Sequence, residues 1–135
     1  MRAVLIDTGP LVALLKRDDD YHAEIVRTFK GIRDPFVSVW PVIAEAMYLL
    51  SAWPAQKALW EILETGLVQL LHLGEADIAD MKSLMEKYRD LPMDMADAAL
   101  VHVADREGIR RVLTLDQRDF SVYRLSRKGR FTILP

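Results

Sequence analysis

The chain has 135 residues, a formal net charge of −2, 51% hydrophobic and 28% charged residues, a balance that fits one globular domain spanning residues 1–135 and leaves no global basic footprint for nucleic acid. It has no cysteine, which excludes disulfides, thiolate zinc sites and thiol nucleophiles. Its apolar runs fall well short of the ~20 residues that span a bilayer, and Asp7 cuts the first of them too early for a secretory signal, so the protein is expected to be cytoplasmic with no membrane partner.

Residues 2–6 form a short run rich in branched apolar side chains, ended by Asp7-Thr8-Gly9-Pro10; this reads as a buried strand, a turn, and a helix starting near Pro10 and running to residue 16. Asp18, Asp19 and Asp20 offer N-caps for a second helix over residues 21–30. Residues 36–39 read as a strand, Pro41 opens a helix to about residue 52, and Pro54 restarts another to about 64. Residues 67–72 are a strand. Residues 75–88 read as one amphipathic helix, with Ile78, Met81, Leu84, Met85 and Tyr88 on its apolar face. The helix over 94–107, ended by Gly108, is apolar on nearly all sides and should be the most buried. Residues 111–114 and 131–134 complete the strands. The alternation argues for an α/β fold, a three-layer α/β/α sandwich around a mainly parallel central sheet.

Against this apolar background the acids stand out. Asp7 ends the first strand and Asp116 lies just past the strand at 111–114; Asp97 interrupts Met95-Ala96-Asp97-Ala98-Ala99-Leu100-Val101, and Glu45 is the only charge between Pro41 and Leu50. In open α/β sheets, sites form beyond the carboxyl ends of the strands. Ionised carboxylates in apolar surroundings are costly unless paired, and grouped carboxylates suit a hard divalent cation such as Mg²⁺ or Mn²⁺. Each acid also has a local reading: Asp7 as a turn cap, Asp94 with Asp97 as a capping pair, Glu45 as the partner of an arginine, and Asp116 or Asp119 as a turn residue. Residues 106–130 carry eight Arg or Lys against three acids, either a solvated surface or a phosphate-contacting rim around the acidic centre.

With these residues placed, the chain resembles the PIN-domain ribonucleases, in particular the VapC-type toxins of toxin–antitoxin pairs. The resemblance rests on residues 6–15, 40–50, 92–101 and 114–120, in order and spread along nearly the whole chain. It implies a PIN-like α/β/α fold and an acidic metal site of Asp7, Glu45, Asp97 and Asp116 that is also catalytic, holding Mg²⁺ or Mn²⁺. It implies RNA phosphodiester hydrolysis by a metal-activated water, leaving 5′-phosphate and 3′-hydroxyl ends. Thr8 matches the small hydroxyl residue after the first aspartate, Asp94 a nearby outer acid, and Asp119 competes with Asp116 as fourth acid, with Asp116 favoured as nearer the strand end. Arg118 is a candidate phosphate contact on the RNA. Gly9 departs from the family, which often has Ser or Asn there. The resemblance also implies a homodimer and a cognate antitoxin.

Two rival readings keep the fold and change the function: a catalytically silent PIN-like binding module, and a DNA-directed nuclease. A haloacid-dehalogenase-like phosphotransferase needs a second aspartate where Gly9 stands. The six glycines form no phosphate-cradling loop, and the three histidines show no ligand spacing. His102 should point away from Asp97, partly buried or at the surface. Trp40, Trp53 and Trp60 are expected in the core or in subunit contacts rather than as base-stacking platforms.

Overall fold

A computed structural model describes residues 2–126 and 129–135. Five short strands, β1 (Val4–Ile6), β2 (Phe36–Ser38), β3 (Val68–Leu70), β4 (Arg111–Leu113) and β5 (Thr132–Leu134), form one sheet in the order β3-β2-β1-β4-β5. All four pairings are parallel, with Leu5 opposite both Val37 and Val112. Parallel strands need crossover segments that cover both faces, so the central strands are apolar along their length rather than alternating. Val4, Leu5, Ile6, Val37, Val112 and Leu113 are all fully buried.

The crossovers are α1 (Thr8–Leu15), α2 (His22–Gly31), α3 (Trp40–Leu50), α4 (Trp53–Thr65), α5 (Ile78–Lys87) and α6 (Met95–Glu107), followed by a short α7 (Gln117–Val122). This is the expected α/β/α sandwich. Helix α6 is the most deeply set: residues 96–104 are buried without interruption, and the helix ends at Gly108, which takes the left-handed conformation a Cβ disfavours. Sequential strands proceed from β1 toward β3 on one side and return to β4 and β5 on the other. The chain therefore reverses direction between β1 and β4, the switch point at which open α/β sheets form a crevice at the carboxyl ends of the strands.

Three expectations change. The segment expected as one amphipathic helix over 75–88 begins with a 3₁₀ turn, Glu75–Asp77, before α5. Asp77 is turned inward there: its carboxylate accepts from the Gly74 amide, meets His102 Nε2 at 2.7 Å and accepts from Arg106 at 3.1 Å. These partners, led by His102, hold the Asp77 carboxyl well below the usual carboxylate range. Ile78 and Met85 consequently face outward, while Tyr88 is buried. Secondly, of the two places expected for Trp40, Trp53 and Trp60, the core is excluded and a subunit contact remains: all three are exposed on α3 and α4, with Trp40 and Trp60 6.3 Å apart. Thirdly, helix α7 occupies a stretch for which the sequence predicts no element, with Asp116 or Asp119 only an alternative turn residue.

Leu100 lies in the middle of α6 and is fully buried. Leu100→Ala should cost about 2–5 kcal/mol, through lost transfer energy and the cavity left behind. Equilibrium urea unfolding would measure it; a loss under about 1 kcal/mol would contradict the placement of α6 in the core.

Candidate metal centre

Three helices begin at the crevice, and each is capped by an acid. Asp7 follows β1 and caps α1, its Oδ1 accepting from the Thr8 amide at 2.8 Å. Asp94 caps α6, accepting from the Asp97 amide at 2.8 Å. Asp116 follows β4 and caps α7, accepting from the Asp119 amide at 3.4 Å. The positive ends of the three helix dipoles thus meet at one place, which favours negative charge there. Capping leaves carboxylate lone pairs free, so a capped acid can still ligate a cation.

Asp97 sits in the first turn of α6, and a carboxylate oxygen of each of Asp97, Asp116 and Asp119 lies within 4.8 Å of the others. Asp119, which competed with Asp116 for one place, therefore joins it. Glu45 is exposed in the second turn of α3, and its charge and that of Asp116 both act on Asp7. Asp94 likewise acts on Asp97 and Asp116. Charge effects thus link all six acids, and among the described residues Asp97, Asp116 and Asp119 are the three whose carboxylate oxygens lie close enough together to share one ion. Among the described residues, no Lys, Arg or His forms an ion pair with any of Asp7, Glu45, Asp94, Asp97, Asp116 or Asp119. The reading of Glu45 as an arginine's partner falls with this.

The cost of that grouping is visible in the proton affinities. Burial, with Glu45 and Asp116 adding to it, pushes Asp7 up to about 6 despite two hydrogen bonds to its carboxylate. Burial, then the charges of Asp7, Asp94 and Asp116, push Asp97 up to about 7. Asp116 is raised chiefly by desolvation and by Asp119. The donors are all carboxylate oxygens, the set preferred by Mg²⁺, Mn²⁺ or Ca²⁺. Thr8 adds a buried hydroxyl with no hydrogen-bond partner, next to Asp7. These residues fit a hard divalent cation.

Two residues important to the geometry escaped the sequence reading. Thr114, fully buried at the end of β4, donates its hydroxyl to Asp7 Oδ2 at 2.8 Å and accepts from the Asp116 amide at 2.9 Å, tying the two acids together. Tyr123, also fully buried, donates to Asp97 Oδ2 at 2.8 Å. The two-residue offset of Thr114 from Asp116 is a turn signal visible in the sequence; nothing local links Tyr123 to Asp97.

Among the described residues, three members of the expected basic rim are committed elsewhere. Arg106 lies at the far end of α6, roughly 15 Å along the axis from Asp97, and is held by Asp77 and Glu107. Arg111, at the start of β4, pairs with Asp34. Arg124 donates to the carbonyls of Ser121, Val122 and Tyr123 at the end of α7. Arg118 is exposed and lines a groove of about 330 Å³ with Asp116 and Tyr21. Arg127 and Lys128 lie outside the described residues.

Acids with raised folded-state values bind protons that the unfolded chain, near 3.9, does not. Between about pH 4 and 7 stability therefore falls as pH rises. We expect the metal-free protein to melt higher near pH 5 than near pH 7.5, Asp97→Asn to flatten that slope, and Mg²⁺ or Mn²⁺ to raise the melting temperature most at the higher pH. Melting curves across pH, with and without cation, would measure this; a stability that rises steadily from pH 5 to about 7.5 would contradict it.

A family model described as PIN domain matches residues 4–125. The chain is 35% identical over 135 residues to a protein named Ribonuclease VapC26 from Mycobacterium tuberculosis (strain ATCC 25618 / H37Rv), a match covering 98% of this chain and 100% of that protein. The crystal structure of Mycobacterium tuberculosis VapC20, described as a Sarcin-Ricin loop cleaving toxin, aligns with a TM-score of 0.74 at 18% identity, over 81% of this chain and 86% of that one. A toxin–antitoxin complex from Klebsiella pneumoniae gives a TM-score of 0.67 at 15% identity, over 88% and 91%. With its acids gathered at the crevice between β1 and β4, and with a relative this similar along its full length, the chain belongs to the PIN-domain family, in the VapC group.

Proposed function

We propose that this chain is a divalent-cation-dependent endoribonuclease and the toxin of a type II toxin–antitoxin pair. The observation that carries the reading is the group of unpaired carboxylates at the crevice, whose mutual repulsion a cation would offset. Ribonuclease activity is the named property of the VapC26 relative, and the Klebsiella pneumoniae relative is a toxin–antitoxin complex. On this reading residues 1–135 act as one nuclease domain, cytoplasmic and homodimeric, with a cognate antitoxin as partner. Among the described residues no helix is long and apolar enough to cross a membrane.

We assign Asp7, Glu45, Asp97 and Asp116 as the catalytic acids that hold Mg²⁺ or Mn²⁺, with Thr8, Asp94 and Asp119 in support. The bound ion would lower the pKa of a water and offset charge on the phosphodiester. Asp7 is fixed by Thr8 and Thr114, and Asp97 by Tyr123, so each presents its carboxylate in one orientation. Arg118, exposed beside Asp116, takes a substrate phosphate and partly offsets the negative rim. A single-stranded segment or loop suits an open crevice in which bases can splay. Hydrolysis breaks the bond from phosphorus to the 3′ oxygen; water's oxygen goes to the 5′-phosphate and a proton to the 3′-hydroxyl.

The test is cleavage of single-stranded RNA and matched DNA with Mg²⁺ or Mn²⁺, and with EDTA. Asp7→Asn should lose more than about a hundredfold in rate, EDTA should stop the wild type, and excess Mn²⁺ should restore it. Arg118→Ala should chiefly raise KM. EDTA-resistant cleavage equal in wild type and Asp7→Asn would overturn the mechanism. Faster cutting of DNA would favour the DNA-directed nuclease, and cation binding without turnover on any substrate would favour the silent binding module.

A further inference from the structure

We infer that Tyr123 is a positioning residue that restricts Asp97 to one-oxygen ligation and thereby sets the cation preference of the site toward small octahedral ions over Ca²⁺. The inference rests on the metal-site reading above and goes beyond it by assigning ion selectivity to a residue outside the acid set.

The phenol is fully buried and has little freedom. Its ring meets Phe120 edge-on at 5.1 Å and Tyr88 at 5.0 Å, and Phe120 in turn meets Phe131 at 5.4 Å. Tyr88 is itself anchored, its hydroxyl accepting from the Arg124 amide at 3.0 Å. Close packing of aromatic edges fixes ring orientation, so the Tyr123 hydroxyl is aimed at Asp97 Oδ2 rather than merely near it. Its proton goes to the carboxylate, because an ionised carboxylate oxygen can only accept and the phenol is the one donor between them.

The consequence falls on the two oxygens of Asp97 unequally. Oδ2 shares electron density with the phenol proton at 2.8 Å, and no side-chain hydrogen bond is made to Oδ1 among the described residues. Oδ1 is therefore the stronger ligand, while Oδ2 keeps a lone pair that a cation reaches only against the pull of the phenol proton. Mg²⁺ and Mn²⁺ accept single carboxylate oxygens at short distance in near-octahedral geometry. Ca²⁺ is larger, takes six to eight oxygens, and commonly fills its shell by gripping a carboxylate through both oxygens. Removing the phenol proton frees Oδ2 for that second contact and also loosens the carboxylate plane.

The experiment is calorimetric titration of metal-free protein with Mn²⁺ and separately with Ca²⁺, without RNA, for wild type, Tyr123→Phe and Tyr88→Phe. Tyr123→Phe keeps the ring and removes the hydroxyl; its melting temperature reports whether it folds. Mn²⁺ affinity should drop by about tenfold, in the range seen when a ligand's hydrogen-bond partner is removed. Ca²⁺ affinity should drop less or rise, so the Mn²⁺/Ca²⁺ affinity ratio falls severalfold. Tyr88→Phe perturbs the same aromatic cluster without touching Asp97, and should leave the ratio unchanged. A second readout needs no substitution at this position: in wild type labelled with 3-fluorotyrosine, the Tyr123 ¹⁹F resonance should shift as Mg²⁺ saturates the site.

If wild type binds neither ion, the metal-site reading fails and the inference with it. If wild type binds Mn²⁺ but the ratio is the same in Tyr123→Phe, or the fluorine resonance ignores Mg²⁺, the metal site stands and the role of Tyr123 is overturned. A ratio that falls equally in Tyr88→Phe also overturns it, since general loosening of the cluster would then explain the effect.

Discussion

The rest of the structure is arranged around one electrostatic constraint: several carboxylates share a crevice with no cation from the chain among the described residues. At an effective dielectric of 20, two like charges 4 Å apart repel by about 4 kcal/mol. The fold tolerates this in two ways. Part of the charge is given up to protons more readily than in free carboxylates, with Asp97 raised to about 7 and Asp7 to about 6. The remainder is balanced by backbone dipoles, because α1, α6 and α7 all point their amino ends at the crevice and are capped by the acids themselves. Hydrophobic burial brings Asp97 to its place, since α6 is apolar on nearly every side and its packing carries the acid into the interior, and hydrogen bonds then orient the carboxylates.

The far end of α6 uses the opposite electrostatic logic. Asp77 is as well buried as Asp7, yet it meets His102 and Arg106, and its carboxyl is held low instead of pushed high. One buried acid is structural because cations satisfy it; the other is left for a ligand to satisfy. The contrast between the acids near the two ends of α6 separates the two kinds of buried carboxylate more clearly than burial alone. Three basic residues of the 106–130 segment are likewise occupied elsewhere. Arg106 and Arg111 are committed to acids away from the crevice, and Arg124 is committed to carbonyls.

Much of this was legible in the chain because it rests on local pattern. Short branched runs ended by turn residues marked the strands, and Pro10, Pro41, Pro54 and Gly108 marked helix boundaries to within a few residues. The acids stood out because each broke an apolar run. What failed were the places where a distant partner decides. Six residues of α7 are too few for a helical period to register; they fold as a helix because Asp116 caps them and Phe120 packs inward. The 3₁₀ turn before α5 exists because His102 and Arg106, some 25 and 29 residues on, draw Asp77 inward. The tryptophans on α3 and α4 are apolar by composition, yet the neighbouring layers do not cover them.

The sequence by itself determined the α/β alternation, the depth of α6 and the identity of the acids, since these depend on periodicity, capping and the cost of a charge in an apolar run. Only the tertiary structure decided that Asp116 and Asp119 both join Asp97, that Thr114 bridges Asp7 and the Asp116 amide, and that Tyr123 reaches the Asp97 carboxylate. The physical reason is that a parallel sheet brings together strand ends more than a hundred residues apart in sequence, as with Thr114 and Asp7. Hydrogen bonds across such separations leave no local periodicity to read.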